Sequence, residues 1–338
     1  MLFRSESESI TETEMQVDLN SFPAKNLTDP SIYLQKEVCF LFDVNFNSTQ
    51  YLHVTHILTA IVNVVLALTA ITGNVVVIFT VWKSPALHTP SNVLVCCLAI
   101  SDLAVGLLTQ PCFVIHKIGE ILHRLEMYCV TRMVVECLAN ITSGASVLTM
   151  AGVTIERCLA LFFHLRYDEF VTVRRVLFTV ACFWIFLTAM ALFRVFLIRP
   201  EVYNTIFVTV LSLCLLSTYL AYANILRCVR RHERRIGTEV IFMRSKIEEK
   251  ATPLRNILRY KKSTINMIVI VGVFTACFLL LLCVKLAHKV WGYTIPVKTV
   301  YVVASTIAFL NSSLNPLVYF WRIKTLRHAV KTVFQDRL

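Results

Sequence analysis

Seven long stretches of mostly apolar residues run through this chain, and they constrain its fold more than any other feature. The chain has 338 residues, of which 57% are hydrophobic and 16% charged, and this composition excludes a single soluble domain. A helix of about 20 apolar residues is long enough to cross a membrane. We therefore predict an all-α protein, a seven-transmembrane helix bundle. The predicted spans cover residues 55–82, 91–116, 129–161, 173–197, 203–231, 259–290 and 296–320.

The last apolar stretch contains a polar run, residues 311–319, with two Asn, two Ser and one Pro. Hydrocarbon offers no partner to an amide or a hydroxyl, so these groups must bond to other helices. Pro316 adds a further demand, because it has no N–H and leaves a carbonyl one turn earlier without its helical partner. Three polar residues in other spans are candidates to meet these demands: Asn74, Asp102 and Ser146.

The distribution of Lys and Arg predicts how the spans are oriented. An odd number of spans places the two termini on opposite sides of the membrane. With the N-terminus outside, the inner segments carry twenty-two Lys and Arg residues and the outer segments eleven. Basic residues favour the cytoplasmic side, so this bias predicts an extracellular N-terminus. Topology and contact with membrane lipid explain much of the +12 net charge without a nucleic-acid partner.

The two ends of the chain differ from the spans in composition. Residues 1–54 carry eight acids against three bases and little periodic hydrophobicity, which predicts a disordered extracellular tail. Asn26 and Asn47 begin two Asn-x-Thr sequons in this tail and are predicted to be glycosylated. Residues 321–338 have alternating basic and apolar faces, which predict an amphipathic helix on the membrane and a short cytoplasmic tail.

Each span also carries a short sequence marker. In chain order the markers are Gly73-Asn74, Leu98-Ala99-Ile100-Ser101-Asp102-Leu103, Glu156-Arg157-Cys158, Trp184, Tyr222, Phe274 with Cys277 and Phe278, and Asn315-Pro316-Leu317-Val318-Tyr319. With this order on seven spans, the chain resembles the rhodopsin-like (class A) family of G-protein-coupled receptors over residues 55–334. The resemblance implies a plasma-membrane receptor, not an enzyme, that binds an extracellular ligand and activates a heterotrimeric G protein.

The resemblance also implies roles for particular residues. One group would hold an allosteric sodium ion that stabilises the inactive bundle: Asp102, Ser146, Asn311, Ser312 and Asn315. The resemblance implies no other cofactor. A second group would act as activation switches: Glu156, Arg157, Tyr222, Phe274, Phe278, Pro316 and Tyr319.

The chain departs from the family pattern in its fifth and sixth spans. Phe278 stands where the family usually has Trp, and Leu280 and Cys214 stand where it has Pro. Helices without Pro keep their hydrogen bonds and should be straighter. Tyr260 stands where many relatives have an acid that holds the Arg at the end of the third span, which predicts raised basal signalling. A divergent seven-helix protein with a constitutive or scaffolding role is therefore an alternative.

The cysteines also depart from the family pattern. The second outer loop, about residues 196–204, is short and has no Cys, so the family's usual disulfide to that loop cannot form. Together with the missing Pro in the fifth span, this loop resembles the melanocortin, adenosine, cannabinoid and lysophospholipid receptor branch. In place of the usual bond we suggest a disulfide between Cys39 and Cys129, with Cys112 or Cys283 as a competing partner.

The outer halves of the spans offer candidates for a ligand pocket: Glu136, Asn140, Lys285, Lys298 and Phe309. Amine receptors place an Asp where this chain has Ala139, and opsins place the retinal Lys where it has Phe309, so neither class is expected. Glu136 either faces a ligand or forms a salt bridge to Lys285 or Arg132. These residues fit a peptide, a lipid-like or a small polar ligand, without identifying one.

Two other classes of seven-helix protein agree less well with the sequence. An intramembrane zinc hydrolase needs His and acidic ligands at one depth, whereas Asp102 and Glu136 are the only acids in the middle of the predicted spans, and the histidines cluster near loops and ends. A transporter often has internal repeats and broken helices, and the two halves of this chain show no repeat.

Overall fold

The computed structural model of the protein describes residues 37–39, 42–44, 46, 49–162, 166–196, 200–242, 251–292, 294–322 and 324–335. In this part of the chain, seven helices are long and apolar enough to cross a membrane. We number them α1 to α7, and α8 is a shorter helix after them. Their bounds are α1 Thr49–Lys83, α2 Pro90–Ile121, α3 Leu125–Phe162, α4 Val173–Phe196, α5 Pro200–Phe242, α6 Ala251–Trp291, α7 Ile295–Arg322 and α8 Lys324–Gln335. The predicted all-α fold with seven spans is confirmed.

Several helix ends differ from the predicted spans. α1 begins at Thr49, so its first turns fall inside the tail predicted over residues 1–54. α2 continues to Ile121 instead of ending at 116, because Lys117 and Glu120 pair with each other and do not interrupt the helix. α5 and α6 extend to Phe242 and back to Ala251, past the predicted ends at 231 and 259. Their polar extensions need no apolar side chains, because a helix outside the hydrocarbon can face water.

α2 is not a uniform helix. It is α-helical over Pro90–Ala104, forms one π-helical turn over Val105–Thr109 and is α-helical again over Gln110–Ile121. Pro111 lies just after the wide turn. It has no N–H to bond the carbonyl one turn earlier, and its ring would clash with that carbonyl, so it accounts for the break in the α-helix. The polar residues Asp102 and Glu120, on either side of the break, both lie inside the bundle.

The bundle is held by two sets of helix contacts. α7 packs along α1 and α6, and α3 packs against α2, α4 and α5. The close approach of α1 to α7 depends on Gly73, because a Cβ atom there would lie 2.8 Å from the Cβ atom of Pro316. The apolar core between the helices includes Leu98, Met150 and Ile225.

One end of the bundle, here called the Thr49 end, contains the starts of α1, α3, α5 and α7. There the strands β1 (Glu37–Cys39) and β2 (Phe42–Val44) pair as an antiparallel hairpin, and β1 contacts α3. The ring of Phe46 lies 5.2 Å from that of His123 and 5.4 Å from that of Tyr128. This segment, which the sequence placed in a disordered tail, thus folds over the start of α3. The predicted glycosylation sites Asn26 and Asn47 lie outside the described residues.

The bonding states of the cysteines test the predicted disulfide. Cys129 is disulfide-bonded. Cys112 and Cys283, the competing partners, are free thiols, so the pairing of Cys129 with either of them is wrong. The side chain of Cys39 lies outside the described residues, and its bond to Cys129 stays a prediction that the contact of β1 with α3 favours.

α8 follows α7 as an amphipathic helix. Leu326 on its apolar face is buried, and the helix contacts α1 and α7. The exposed polar face includes Arg327 and Lys331. A helix of this kind lies along the membrane surface, at the end opposite to Thr49, which we call the Arg157 end.

The contact between Gly73 and Pro316 can be tested by substitution. We expect Gly73→Ala to destabilise the protein by about 1–3 kcal/mol, because the rigid ring of Pro316 cannot move aside and the helices must separate. The measurement is the thermal unfolding of purified protein in lipid nanodiscs.

Gly272→Ala on α6 is the matched control, because a Cβ atom at Gly272 meets nothing within 4 Å. That change should leave stability unchanged or raise it by about 0.5–1 kcal/mol, since Ala is the better helix former. Equal effects of the two substitutions would contradict a close contact at Gly73.

Candidate functional site

Asp102 of α2 lies in the middle of the bundle and is 1% exposed. The Ser146 hydroxyl of α3 donates to its Oδ1 at 3.4 Å, and the Asn315 amide of α7 donates to its Oδ2 at 2.7 Å. Ser312 of α7 is also buried and lies near the same carboxylate. A buried carboxylate is tolerated only when its oxygens are bonded. The Asp102 carboxylate therefore ties α2 to both α3 and α7.

The carbonyl that Pro316 leaves without a helical partner is bonded to another helix. It belongs to Ser312, four residues earlier, and the Asn74 amide of α1 donates to it at 3.0 Å. The next residue, Ser313, donates its hydroxyl hydrogen to the carbonyl of Leu66, also on α1, at 2.8 Å. The predicted demand for partners is confirmed, and α1 meets it from both Asn74 and its own backbone.

Two buried oxygens of α7 have no hydrogen-bond partner among the described residues. They are the side-chain carbonyl of Asn311 and the hydroxyl of Tyr319. Oxygen atoms around a single carboxylate are the ligands that a hard cation prefers. The donor set, with one formal negative charge and an unpaired amide oxygen, fits one small monovalent cation. Its members are Asp102, Ser146, Asn311, Ser312 and Asn315.

At the Arg157 end, the buried carboxylate of Glu156 has three neighbours. Arg157 Nε lies 3.3 Å from Oε2, and Oε1 accepts hydrogen bonds from Ser91 at 2.6 Å and Tyr167 at 2.5 Å. Burial and the adjacent Glu156 carboxylate raise the pKa of the Tyr167 hydroxyl, so it stays protonated and can donate. The ion pair within α3 is therefore closed and braced by α2 and by the short helix Tyr167–Phe170.

The aromatic switch candidates lie in the core between the helices. Phe274 and Phe278 of α6 are buried, and their ring centroids are 4.7 Å apart. Tyr222 of α5 and Tyr319 of α7 are also buried. The structure thus places these four rings where a movement of α6 would change their packing. Their roles as switches stay predictions.

Comparison with known protein families decides the class of this protein. The family model described as 7 transmembrane receptor (rhodopsin family) matches residues 73–205 and 198–319, well over half of the chain. The chain belongs to this family. The predicted family, the multi-pass membrane location and the assignment as a receptor and not an enzyme are therefore confirmed. The nearest branch within the family stays a prediction.

Glu136 of this rhodopsin-family receptor forms internal ion pairs at the Thr49 end. Its Oε1 lies 3.5 Å from Arg132 Nε on α3, and its Oε2 lies 3.2 Å from an Arg194 amino group on α4. Of the two salt bridges considered from sequence, the one to Arg132 forms, and Lys285 has no ion pair with Glu136. Arg194 was not foreseen. The Glu136 side chain is still 38% exposed, so it remains accessible to a ligand.

The other ligand-pocket candidates fall into two groups. Lys285 of α6 is half-buried against aromatic rings, and Asn140 of α3 lies near Tyr203 of α5. Phe309 and Lys298 are buried against other side chains. Phe309 packs against Phe113 with ring centroids 5.5 Å apart, and Lys298 pairs with Glu120. The side chains of this second pair face protein groups. The role of all five in ligand binding stays a prediction.

Glu120 of α2 is the residue that the sequence analysis missed. It is 1% exposed, and its two oxygens lie 2.5 Å from Lys298 Nζ on α7 and 2.8 Å from Lys117 Nζ on α2. His56 of α1, fully buried, lies 3.4 Å from the same carboxylate. These groups form the Glu120 cluster, which ties α1, α2 and α7 together at the Thr49 end. The predicted end of the second span at residue 116 left Glu120 in a loop and concealed it.

The Glu120 cluster predicts a strong dependence of stability on this carboxylate. We expect Glu120→Gln to destabilise the receptor by about 3–5 kcal/mol, because it removes the buried carboxylate that pairs with the buried ammonium groups of Lys117 and Lys298. Thermal unfolding of the purified receptor and its amount at the cell surface are the measurements.

Glu126→Gln, at the exposed start of α3, is the matched control and should behave like the native chain. A Glu120→Gln receptor as stable as the control would show that the two lysines do not depend on Glu120.

Proposed function

We propose that this protein is a ligand-controlled receptor that activates a heterotrimeric G protein. The closed pair of Glu156 and Arg157 is the observation that carries the proposal. It occupies the end of α3, where opening the pair would expose a cationic group to a cytoplasmic partner. A ligand that binds one bundle state more tightly than another shifts the population between them. Coupling between the two ends of the bundle is then the receptor's mechanism.

The proposed orientation places the Thr49 end outside the cell and the Arg157 end in the cytoplasm, at the plasma membrane. The twofold excess of Lys and Arg in the inner segments supports it. The disulfide at Cys129 supports it as well, because disulfides persist on the oxidising side of the membrane. The basic ends of α5 and α6 then face anionic lipid and the G protein.

We also propose sodium as an allosteric ligand of the Asp102 site. The residues that would hold it are Asp102, Ser146, Asn311, Ser312 and Asn315. When bound, the ion would supply a positive charge that neutralises the buried carboxylate. Since the donors come from α2, α3 and α7, a change in the spacing of these helices would weaken the site. Sodium would thereby favour the state in which the three helices are close.

A constitutive receptor is the second candidate function. It rests on the absence of Pro from residues 259–290 and on Tyr260 in place of an acid. With no acid at that position, Arg157 is held by the carboxylate beside it on α3. A weaker restraint on the closed state raises the fraction of active bundle without ligand.

The coupling proposal predicts that basal signalling depends on Arg157. The measurement is cAMP and Gα dissociation in transfected cells without added ligand, at equal surface expression. We expect a basal signal from the native chain that falls to the background of untransfected cells in Arg157→Ala.

Arg174→Ala is the control, since Arg174 is exposed at the same end of the bundle and should leave the signal unchanged. A basal signal that survives in Arg157→Ala would rule out the proposed role of this residue. A native chain without any basal signal would instead contradict the constitutive alternative.

The sodium proposal predicts a stability difference between salts. The native receptor should unfold at a higher temperature in sodium chloride than in choline chloride, by an amount that grows with the logarithm of sodium concentration. In Asp102→Asn this difference should vanish, because the amide lacks the charge that attracts the ion. Glu126→Gln should keep the difference. A sodium effect that persists in Asp102→Asn would refute the site.

A further inference from the structure

Cationic side chains gather around Glu136 at the Thr49 end of the bundle. Arg132 and Arg194 both pair with this one carboxylate. On α6, His288 interacts electrostatically with Lys285, Arg132 and Glu136, so these groups of α3 and α6 lie at the same end of the bundle. Cationic side chains from α3, α4 and α6 thus lie at this end of the bundle.

Lys285 is the cation without a carboxylate partner among the described residues. Its ammonium group lies 5.1 Å from the ring centroid of Phe207 on α5 and 5.8 Å from that of Tyr301 on α7. Aromatic rings attract a cation, but a ring contributes less than a paired anion does. A half-buried ammonium group with aromatic walls and no counter-ion is a costly arrangement in a medium of low dielectric constant.

The surroundings of Lys285 define what would satisfy it. The two rings are partly buried and pack against the apolar core, so the space beside them favours an apolar body. The ammonium group of Lys285 favours an anion and would repel an amine. Thr205 of α5 and Lys289 of α6 are hydrogen-bonded to each other at 3.4 Å toward the exposed side, which leaves Lys285 as the inner cation.

We propose that the ligand of this receptor is an amphiphilic anion whose carboxylate or phosphate group pairs with the Lys285 ammonium group. Its apolar body lies against Phe207 and Tyr301. This inference rests on the proposed function, since it assigns a chemical class to the extracellular ligand. Glu136 is satisfied by its two arginines and therefore does not repel the incoming anion as an unpaired carboxylate would.

The test measures binding without a G protein, so its outcome is independent of coupling. The purified full chain in nanodiscs of neutral phosphatidylcholine is titrated with straight-chain carboxylates of graded length, with alkyl phosphates of the same lengths and with the methyl esters of the carboxylates. The melting temperature reports binding, because a ligand of the folded state stabilises it. We expect anions of at least one of the two classes to raise the melting temperature and the uncharged esters to have no effect.

Two variants of Lys285 and one neighbour complete the test. In Lys285→Gln the affinity for the anion should fall about 10- to 100-fold, the range expected for one lost charge-assisted contact. Lys285→Arg keeps the charge and should keep binding, and Lys289→Gln, one turn away and exposed, should behave like the native chain. Without anion, Lys285→Gln should melt no lower than the native chain, because no ion pair is lost.

Several results would overturn the inference. They are equal stabilisation by esters and anions, stabilisation by no anion of either class, undiminished binding in Lys285→Gln, or a ligand-free Lys285→Gln protein that melts well below the native chain. The last result would assign Lys285 a structural role. Anion binding in Arg157→Ala should match that of the native chain. Loss of signalling with retained binding would therefore separate a failure of coupling from a failure of the anion site.

Discussion

The architecture of this receptor depends on one constraint, that polar groups inside hydrocarbon must find partners within the bundle. Asp102 and the polar run of α7 are the strongest case. The carboxylate is bonded to Asn315 and Ser146, and the carbonyl released by Pro316 is bonded to Asn74. Each partner comes from a different helix. The same bonds that satisfy the polar groups therefore fix how α1, α2, α3 and α7 stand relative to one another.

This constraint also connects the middle of the bundle with its ends. Between the Asp102 site and the Glu120 cluster, the Asn63 amide of α1 donates to Thr306 of α7 at 3.0 Å, and Gln110 of α2 donates to Asn63 at 3.4 Å. Polar contacts thus continue along the contact of α1, α2 and α7. In contrast, the buried residues described on α6 are apolar, so the position of this helix depends on packing that can rearrange. The contact of α1, α2 and α7 is thus held by hydrogen bonds, whereas α6 is held by apolar packing.

The Thr49 end shows how charge is distributed between structure and recognition. Lys298 and Lys117 surround a buried carboxylate and serve the fold, while Glu136 is shared between two arginines. Lys285 differs, because aromatic rings and no carboxylate surround it in the described structure. Sequence assigned Lys285 and Lys298 the same role. The two lysines differ in the groups that other helices place beside them, aromatic rings for Lys285 and a carboxylate for Lys298.

The sequence by itself determined the seven apolar helices, the family and the demand of Pro316 for an outside partner, because hydropathy, motif order and the chemistry of proline are local properties of the chain. Only the tertiary structure decided which charges meet. The pairs of Glu120 with Lys298 and of Glu136 with Arg194 join residues that are far apart in the chain, and no local pattern marks them. The extension of α2 through Glu120 was missed for the same reason. A charged residue near the end of an apolar segment looks like the start of a loop until a partner on another helix neutralises it.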